Sequence, residues 1–392
     1  MHNVLTLNNI SAEGLDRLPS SDYVVGNDVD APAGILLRSY NMHDMTIPDS
    51  LQAVARAGAG VNNIPIDALA QRGIPVFNAP GANANAVKEL VIAGALLAAR
   101  NLCPAWAYVR DLPGEGAELN KAVEAGKKQF VGYELPSRTL GVLGLGAIGV
   151  QVANTALVLG MRVIGYDPQM TVRRAWELSS GVQQARNLED LVSRADMVTV
   201  HVPLVDGTRN LLNEARIRLM QTGSVILNFS RGEIVEEAAV LAALDEEKLS
   251  AYVTDFPSRS LIDNPKVIGL PHLGASTHEA EANCAVMVAE NLRAYLEHGM
   301  IRHSVNFPEA DMPRADAYRV TVANANVPNM VGQMSTVLAD AGLNIVDLLN
   351  KSRGEVAYTI VDLESEVSAE TIANIRAIEG VLLVRNLGKA VS

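Results

Sequence analysis

The chain has 392 residues, 48% of them hydrophobic, with 44 acidic side chains against 32 basic ones and a net charge of −12. That length suits two or three domains with real cores, at roughly 100–200 residues each. The acidic balance argues against a nucleic-acid or anionic-membrane partner and leaves small anionic ligands to local basic pockets. The two cysteines, Cys103 and Cys284, fit no metal or redox spacing. They read as inert apolar residues in a reducing cytoplasm, and no metal is expected. The N-terminus is strand-like and lacks the basic-then-apolar pattern of a signal peptide. The most apolar window, around residues 90–99, is too short to span a bilayer.

Residues 2–90 alternate short strands and helices, which predicts an open α/β sheet. Strands are expected at 4–7, 35–37 and 75–78, and a helix at 51–57. Ligands of such sheets sit outside the carboxyl ends of the strands. Arg38, Gly60 and Asn83 fall at such ends, and Arg38 offers a guanidinium to an anion. A long apolar helix is expected over 86–102, bridging two domains. Residues 110–128 are polar and glycine-rich and read as a loop or arm, with a small basic spot at Lys127 and Lys128.

Residues 139–168 organise the chain. An apolar strand leads into Gly144-x-Gly146-x-x-Gly149, then a helix stopping near Gly160, then a second strand ending at Asp167. Gly144 permits the tight turn. Gly146 lets backbone approach a pyrophosphate, and Gly149 lets helix and strand pack closely. The helix start at Ala147 and Ile148 offers N–H groups and partial positive charge to phosphates. Asp167 lies 23 residues after Gly144, where a carboxylate accepts from a ribose diol and repels a 2′-phosphate. The cofactor expected is NAD.

The strands that follow also end in polar residues: His201 (then Val202 and Pro203), Ser230 and Arg231, Asp255, and His272 (then Gly274). In a parallel sheet those ends share the edge where the dinucleotide lies. A guanidinium and an imidazole beside a nicotinamide suggest hydride chemistry on a carbonyl or alcohol. A helix is expected over 277–299, with Val286, Ala289 and Leu292 on one face. A proline-bearing linker follows. The order β-α-β-β-α-β over 317–386 matches the ferredoxin-like motif.

At this point the chain resembles a known family. Residues 1–310 are similar to the D-isomer-specific 2-hydroxy-acid dehydrogenases, through LGLGAIG, YDP, HVPL, NFSRGEIV, TDFP and LPHLGAST. NAPGANANAVKEL, VNFP and the C-terminal unit resemble the phosphoglycerate dehydrogenase branch. NVPNMVGQ and GLNI in that unit look like an ACT domain, a small-molecule-sensing module. The resemblance implies two doubly wound parallel-sheet domains and a C-terminal ferredoxin-like domain. A substrate domain would take residues 1–93 and 276–306, and a Rossmann NAD domain 94–275. A linker at 307–316 and an ACT-like domain at 317–392 would complete the chain.

The resemblance also implies roles. His272 would be the acid–base and Arg231 the clamp on the substrate carboxylate. Asp255 would lie at the nicotinamide end, with His201, Val202, Pro203, Ser230 and Gly274 beside the cofactor. Gly60 and Val61 would offer backbone N–H groups to the carboxylate. Asn83 and Arg38 would lie on the substrate side. Lys127 and Lys128 would reach a substrate phosphate, from a partner subunit. The substrate implied is a phosphorylated hydroxy acid, D-3-phosphoglycerate, in a homodimer or homotetramer. L-serine is the implied effector, bound by Asn326, Asn329 and Asn344. Two alternatives stay open: an unphosphorylated substrate such as 2-hydroxyglutarate, and a catalytically weak NAD-binding regulator. One departure stands out. Ser260 occupies the position of the family's glutamate partner to the histidine, and Asp263 is the nearest acid by sequence.

Overall fold

The computed structural model describes residues 1–389. The last three positions of the expected C-terminal domain, 390–392, lie outside the described residues. The chain divides into two compact units, Met1–Asn83 with His278–Ser392, and Ala84–Thr277.

The first unit holds two sheets. One is β1 (His2–Leu7), β2 (Tyr23–Gly26), β3 (Gly34–Leu37), β4 (Ala53–Arg56) and β5 (Val76–Phe77), ordered β2-β1-β3-β4-β5 with every pair parallel. This is one of the doubly wound orders. Side chains alternate between its faces: Ile35, Leu37, Val54 and Val76 fill one core, while Leu36, Ala53, Ala55 and Phe77 fill another. The helix expected at 51–57 is instead strand β4. A short apolar run does not distinguish strand from buried helix, and here burial on both faces makes the strand.

The second unit carries β6 (Thr139–Leu143), β7 (Arg162–Tyr166), β8 (Gln183–Gln184), β9 (Met197–Val200), β10 (Ser224–Asn228), β11 (Leu249–Thr254) and β12 (Val267–Gly269). The all-parallel order β12-β11-β10-β9-β6-β7-β8 reverses between β6 and β9, which makes a Rossmann-type switch point there. The helix Ala84–Ala99 belongs to this unit rather than starting at the expected boundary of 94. Its Gly94 lets it lie against the sheet: a Cβ there would stand 2.8 Å from the Phe229 ring. The expected arm at 110–128 folds as the helix Gly116–Gly126. Gly126 packs on Tyr108, whose ring meets Phe130 at 5.3 Å, so the segment has a small apolar anchor despite its polar composition.

The second sheet of the first unit is β13 (Tyr318–Ala325), β14 (Ile345–Arg353), β15 (Val356–Leu363) and β16 (Val381–Lys389), antiparallel in the order β14-β15-β13-β16. With the helices Met330–Asp340 and Ala369–Arg376 it makes the ferredoxin-like arrangement. The sequence suggested a separate body behind a linker. The structure puts this sheet in the same unit as the first, because the linker is itself packed: Phe307, Ala310 and Met312 are core residues alongside Tyr358 and Ile360.

Arginines complete the join. Arg385 donates to the carbonyls of Tyr295 and Leu296 at 2.8 Å each, Arg314 to Glu297 at 2.7 Å and Arg319 to His298 at 3.0 Å. These are the last four carbonyls of the helix His278–His298, groups that a helix end leaves without intrahelical partners, and that of Tyr295 also accepts from Gly299 N at 2.9 Å. Arg319, fully buried, also grips Asp362 at 2.6 and 2.8 Å and donates to Met312 and Pro313. Among the described residues no single helix is long and apolar enough to cross a membrane.

Removing one partner of a buried pair strands the other charge, at a cost of about 3–5 kcal/mol. Arg319→Ala is therefore expected to lower unfolding stability by about that much, read by urea denaturation followed at both far-UV circular dichroism and tyrosine fluorescence.

Candidate active site

In the second unit the glycine loop is forced partly by the chain and partly by what it leaves open. Gly144 has φ +91°, and a Cβ there would meet the His201 carbonyl carbon at 2.9 Å. A Cβ on Gly149 would stand 1.9 Å from the Gly144 oxygen. These two glycines serve the fold. A Cβ on Gly146 meets nothing within 4 Å. Nothing in the chain requires glycine there, and the open space lies at the cap of the helix Ala147–Val158, which no side chain caps. Open space before uncapped N–H groups fits a pyrophosphate. Asp167 accepts from Leu145 N through one oxygen and from Gln169 N through the other, at 2.8 Å each. Both oxygens keep lone pairs for a ribose diol. The loop and the acid therefore fit a dinucleotide without a 2′-phosphate.

The next strand ends are cross-braced. His201 N donates to Leu143 O at 2.7 Å, and its Nε2 meets Thr199 Oγ1 at 2.9 Å. Burial of its ring pushes its pKa down to about 3, so it stays neutral and is no proton shuttle near pH 7. Ser230 Oγ donates to Val202 O at 2.6 Å, and Thr208 Oγ1 donates to Pro203 O at 2.6 Å. Asn228, fully buried, donates to the Arg231 carbonyl at 2.9 Å and so shapes the turn that presents that residue. Arg231 is half-buried and donates to Ser230 O at 2.6 Å. Its guanidinium carbon lies 5.8 Å from the Phe256 ring centroid, and the exposed His272 ring lies 4.6 Å from that same ring. Phe256 thus touches both polar groups. Asp255 beneath it is buried, and burial raises its pKa while the nearby His272 pulls it down.

Two expectations move. Ser260 is exposed on the short helix Arg259–Ile262, and Asp263 pairs with Arg259 at 3.1 Å on the surface. The acid in electrostatic contact with His272 is Asp255. Lys127 is bonded to Glu124, and Lys128 is exposed in the turn Lys127–Phe130.

In the first unit Arg38, Gly60, Val61 and Asn83 lie past the carboxyl ends of β3, β4 and β5, along one edge of that sheet. Arg38 pairs with Glu281 at 2.8 Å. Its carbonyl accepts from Arg56 Nε at 3.0 Å and from Asn63 Nδ2 at 3.2 Å, which ties the loop 57–63 to the end of β3. The Arg56 guanidinium lies so close over Gly58 that a Cβ there would stand 2.1 Å from Nη1. Arg56 is a second cation on this edge that sequence reading missed, because reading 51–57 as a helix hid that Arg56 ends a strand. Phe256 and Asn228 were missed as well: an apolar ring and a buried amide carry no chemical signature until the strand ends are in place.

The expected effector residues do not share one place in a single copy. Asn326 donates to Gly354 O at 3.0 Å, and Asn329, with φ +66°, stands just before the helix Met330–Asp340 without a side-chain capping bond to it. Asn344 follows the other end of that helix. Asn324, not anticipated, is buried with Oδ1 unbonded.

Comparison with known proteins places the chain by sequence and fold. The NAD-binding domain of the D-isomer specific 2-hydroxyacid dehydrogenases matches residues 93–279. The D-3-phosphoglycerate dehydrogenase of Methanocaldococcus jannaschii is 36% identical over 321 residues, 80% of this chain and 58% of that protein. The Escherichia coli K12 D-3-phosphoglycerate dehydrogenase is 31% identical over 368 residues, 90% of this chain and 86% of that one. The NAD+-bound 3-phosphoglycerate dehydrogenase of Entamoeba histolytica shares the fold, with TM-score 0.58 at 23% identity over 78% of this chain and 98% of that one. Fold and site define an NAD-dependent dehydrogenase acting on a small hydroxy acid. The chain belongs to the D-isomer-specific 2-hydroxyacid dehydrogenase family.

The two kinds of glycine are separable by experiment. Gly146→Ala is expected to weaken NADH binding about tenfold or more by intruding on the pyrophosphate approach, with the melting temperature unchanged. Gly149→Ala is expected to lower the melting temperature itself. Isothermal titration and a thermal melt read the two effects.

Proposed function

We propose that the chain oxidises D-3-phosphoglycerate to 3-phosphohydroxypyruvate, the entry to serine synthesis, in the cytoplasm. The observation that carries this reading is Arg231 and His272 gathered on Phe256 at the edge of an NAD-binding sheet. NAD, when bound, supplies the nicotinamide that accepts the C2 hydride. The residues of the chain do the rest. Arg231 donates a forked pair of hydrogen bonds to the substrate carboxylate and polarises the C2 oxygen. His272 takes the hydroxyl proton in oxidation and returns it in reduction, a role suited to imidazole near neutral pH. Backbone N–H groups at Gly60 and Val61, with Asn83, line the substrate side. Arg38 and Arg56 give a doubly charged phosphate two guanidinium groups, with Lys127 and Lys128 supplied by a partner subunit.

One observation favours a second reading, an unphosphorylated acid such as 2-hydroxyglutarate. Arg38 is already paired with Glu281, and Lys127 with Glu124, so part of the basic set is spoken for.

The C-terminal sheet is proposed as an ACT-like module that takes L-serine. Its asparagines lie at the two ends of an 11-residue helix, about 16 Å apart at 1.5 Å per residue. One amino acid cannot touch both ends within a copy. A homodimer or homotetramer that brings Asn344 of one copy to Asn326 of another resolves this.

The test is the rate of NADH oxidation on 3-phosphohydroxypyruvate and on 2-oxoglutarate, each with and without L-serine. Strong preference for the phosphorylated acid with inhibition by serine supports the first reading. Preference for 2-oxoglutarate supports the second. His272→Ala is expected to cut turnover by about 10²–10⁴-fold with NADH binding retained. Turnover near wild type in that variant would remove His272 from the chemistry.

A further inference from the structure

Both carboxylate oxygens of Asp255 are buried without a side-chain partner among the described residues, and the groups that approach them are the backbone N–H groups of Leu273 and Gly274, in the turn that carries His272. An ionised carboxylate with no side-chain partner is costly in a protein interior, and such groups persist where they have a task. The chain places this one beside His272 by three separate routes. β11 and β12 pair in register up to Thr254 and Gly269, so Asp255 and the 270–272 segment leave adjacent strand ends together. Leu270 N donates to Thr254 O at 2.9 Å, which ties the residue before Asp255 to the turn that carries His272. On the far side of His272, a Cβ built on Gly274 would stand 3.9 Å from Asp255 Oδ2. The ring of Phe256, next in the chain, lies 4.6 Å from the imidazole.

The other charged groups around this corner are engaged. Glu237 accepts from Ser258 Oγ at 2.7 Å. Asp263 is paired with Arg259. Tyr252 meets Asn228 at 3.2 Å, and burial raises its hydroxyl further above the neutral range. Arg231 approaches from the other strand end, against Phe256.

We infer that Asp255 is the positioning carboxylate of His272, orienting the imidazole at the sheet edge and stabilising the imidazolium formed when the ring takes the substrate's hydroxyl proton. The inference rests on the acid–base role proposed above for His272. In that step the O–H bond breaks as an N–H bond forms on the ring, the C2–H electron pair leaves as hydride to NAD, and the C2–O bond becomes a carbonyl. The charge left on the ring faces Asp255. Burial holds the Asp255 pKa above its ordinary value and the imidazolium opposes that rise, which is the reciprocal behaviour of a coupled pair.

The sign follows directly. A carboxylate beside the ring favours its protonated form, so removing that charge is expected to lower the His272 pKa. A neighbouring charge within about 4–6 Å moves a pKa by roughly 1–3 units. In the full-length protein, Asp255→Asn is expected to lower the His272 pKa by about one unit or more, read by NMR titration of the ring. The alkaline limb of the kcat profile for reduction should move down with it. Asp263→Asn should leave both in place. An unmoved His272 in Asp255→Asn, or an equal shift in Asp263→Asn, overturns the inference. The reciprocal measurement covers a variant that fails to fold: in His272→Gln the Asp255 carboxyl, followed by its carbon shift, should titrate at higher pH than in the parent. No change there also overturns it. Full turnover in His272→Ala would instead sink the acid–base reading on which the inference stands, a distinct result.

Discussion

The first unit is held together by the end of one helix. The helix His278–His298 points its last four carbonyls into the C-terminal sheet, and Arg385, Arg314 and Arg319 meet all four. Cations at a helix C-terminus are favoured by the helix dipole as well as by hydrogen bonding. Arg319 spends all five of its donors, on three carbonyls and a bidentate carboxylate. Such a residue tolerates no second geometry. The C-terminal sheet is therefore not a bead on a string, although the sequence between it and the first sheet contains the prolines of a linker. Near the other end of the same helix, Glu281 holds Arg38 at the edge of the first sheet. Any displacement of the C-terminal sheet has to carry the helix with it or break charge-assisted bonds in the interior.

A second constraint governs the chemistry. Parallel strands bury their middles and release polar residues only at their ends, so the functional groups of the second unit collect on one edge. What the edge needs beyond them is bracing. Asn228 fixes the turn before Arg231, Thr199 meets the His201 ring, and Phe256 gives Arg231 and His272 a common wall. These braces fix where Arg231, His201 and His272 stand at the strand ends.

Much of this was legible in the sequence, and the misses share a cause. The glycine loop, Asp167 and the polar strand ends could be read because each follows from local geometry: a turn, a close approach, a strand terminus. That both sheets are open and parallel followed from the alternation of elements, whereas the order of their strands did not. The run 51–57 was read as helix because seven residues, five of them apolar, are too short to show a period, and Arg56 was lost with it. The segment 110–128 was read as an arm because its apolar anchors, Tyr108 and Phe130, lie outside it. Asp263 was the acid nearest along the chain to Ser260, where the family's glutamate is expected, whereas Asp255 is near His272 because β11 and β12 are neighbours. Proximity through a sheet is set by strand pairing, and sequence distance does not measure it.

The same edge illustrates how environment separates identical chemistry. His201 and His272 both follow parallel strands of one sheet. Burial without a nearby acid drives His201 to a pKa of about 3, which leaves it a fixed neutral group. His272 is exposed, touches Phe256 and faces the charge of Asp255. One imidazole is a buried, neutral group and the other lies exposed at its strand end. The two rings also differ in their neighbours: the buried Asp255 carboxylate lies against His272, and in the acid–base role proposed for that ring the charge that offsets the cost of burying Asp255 is the one His272 acquires on accepting a proton.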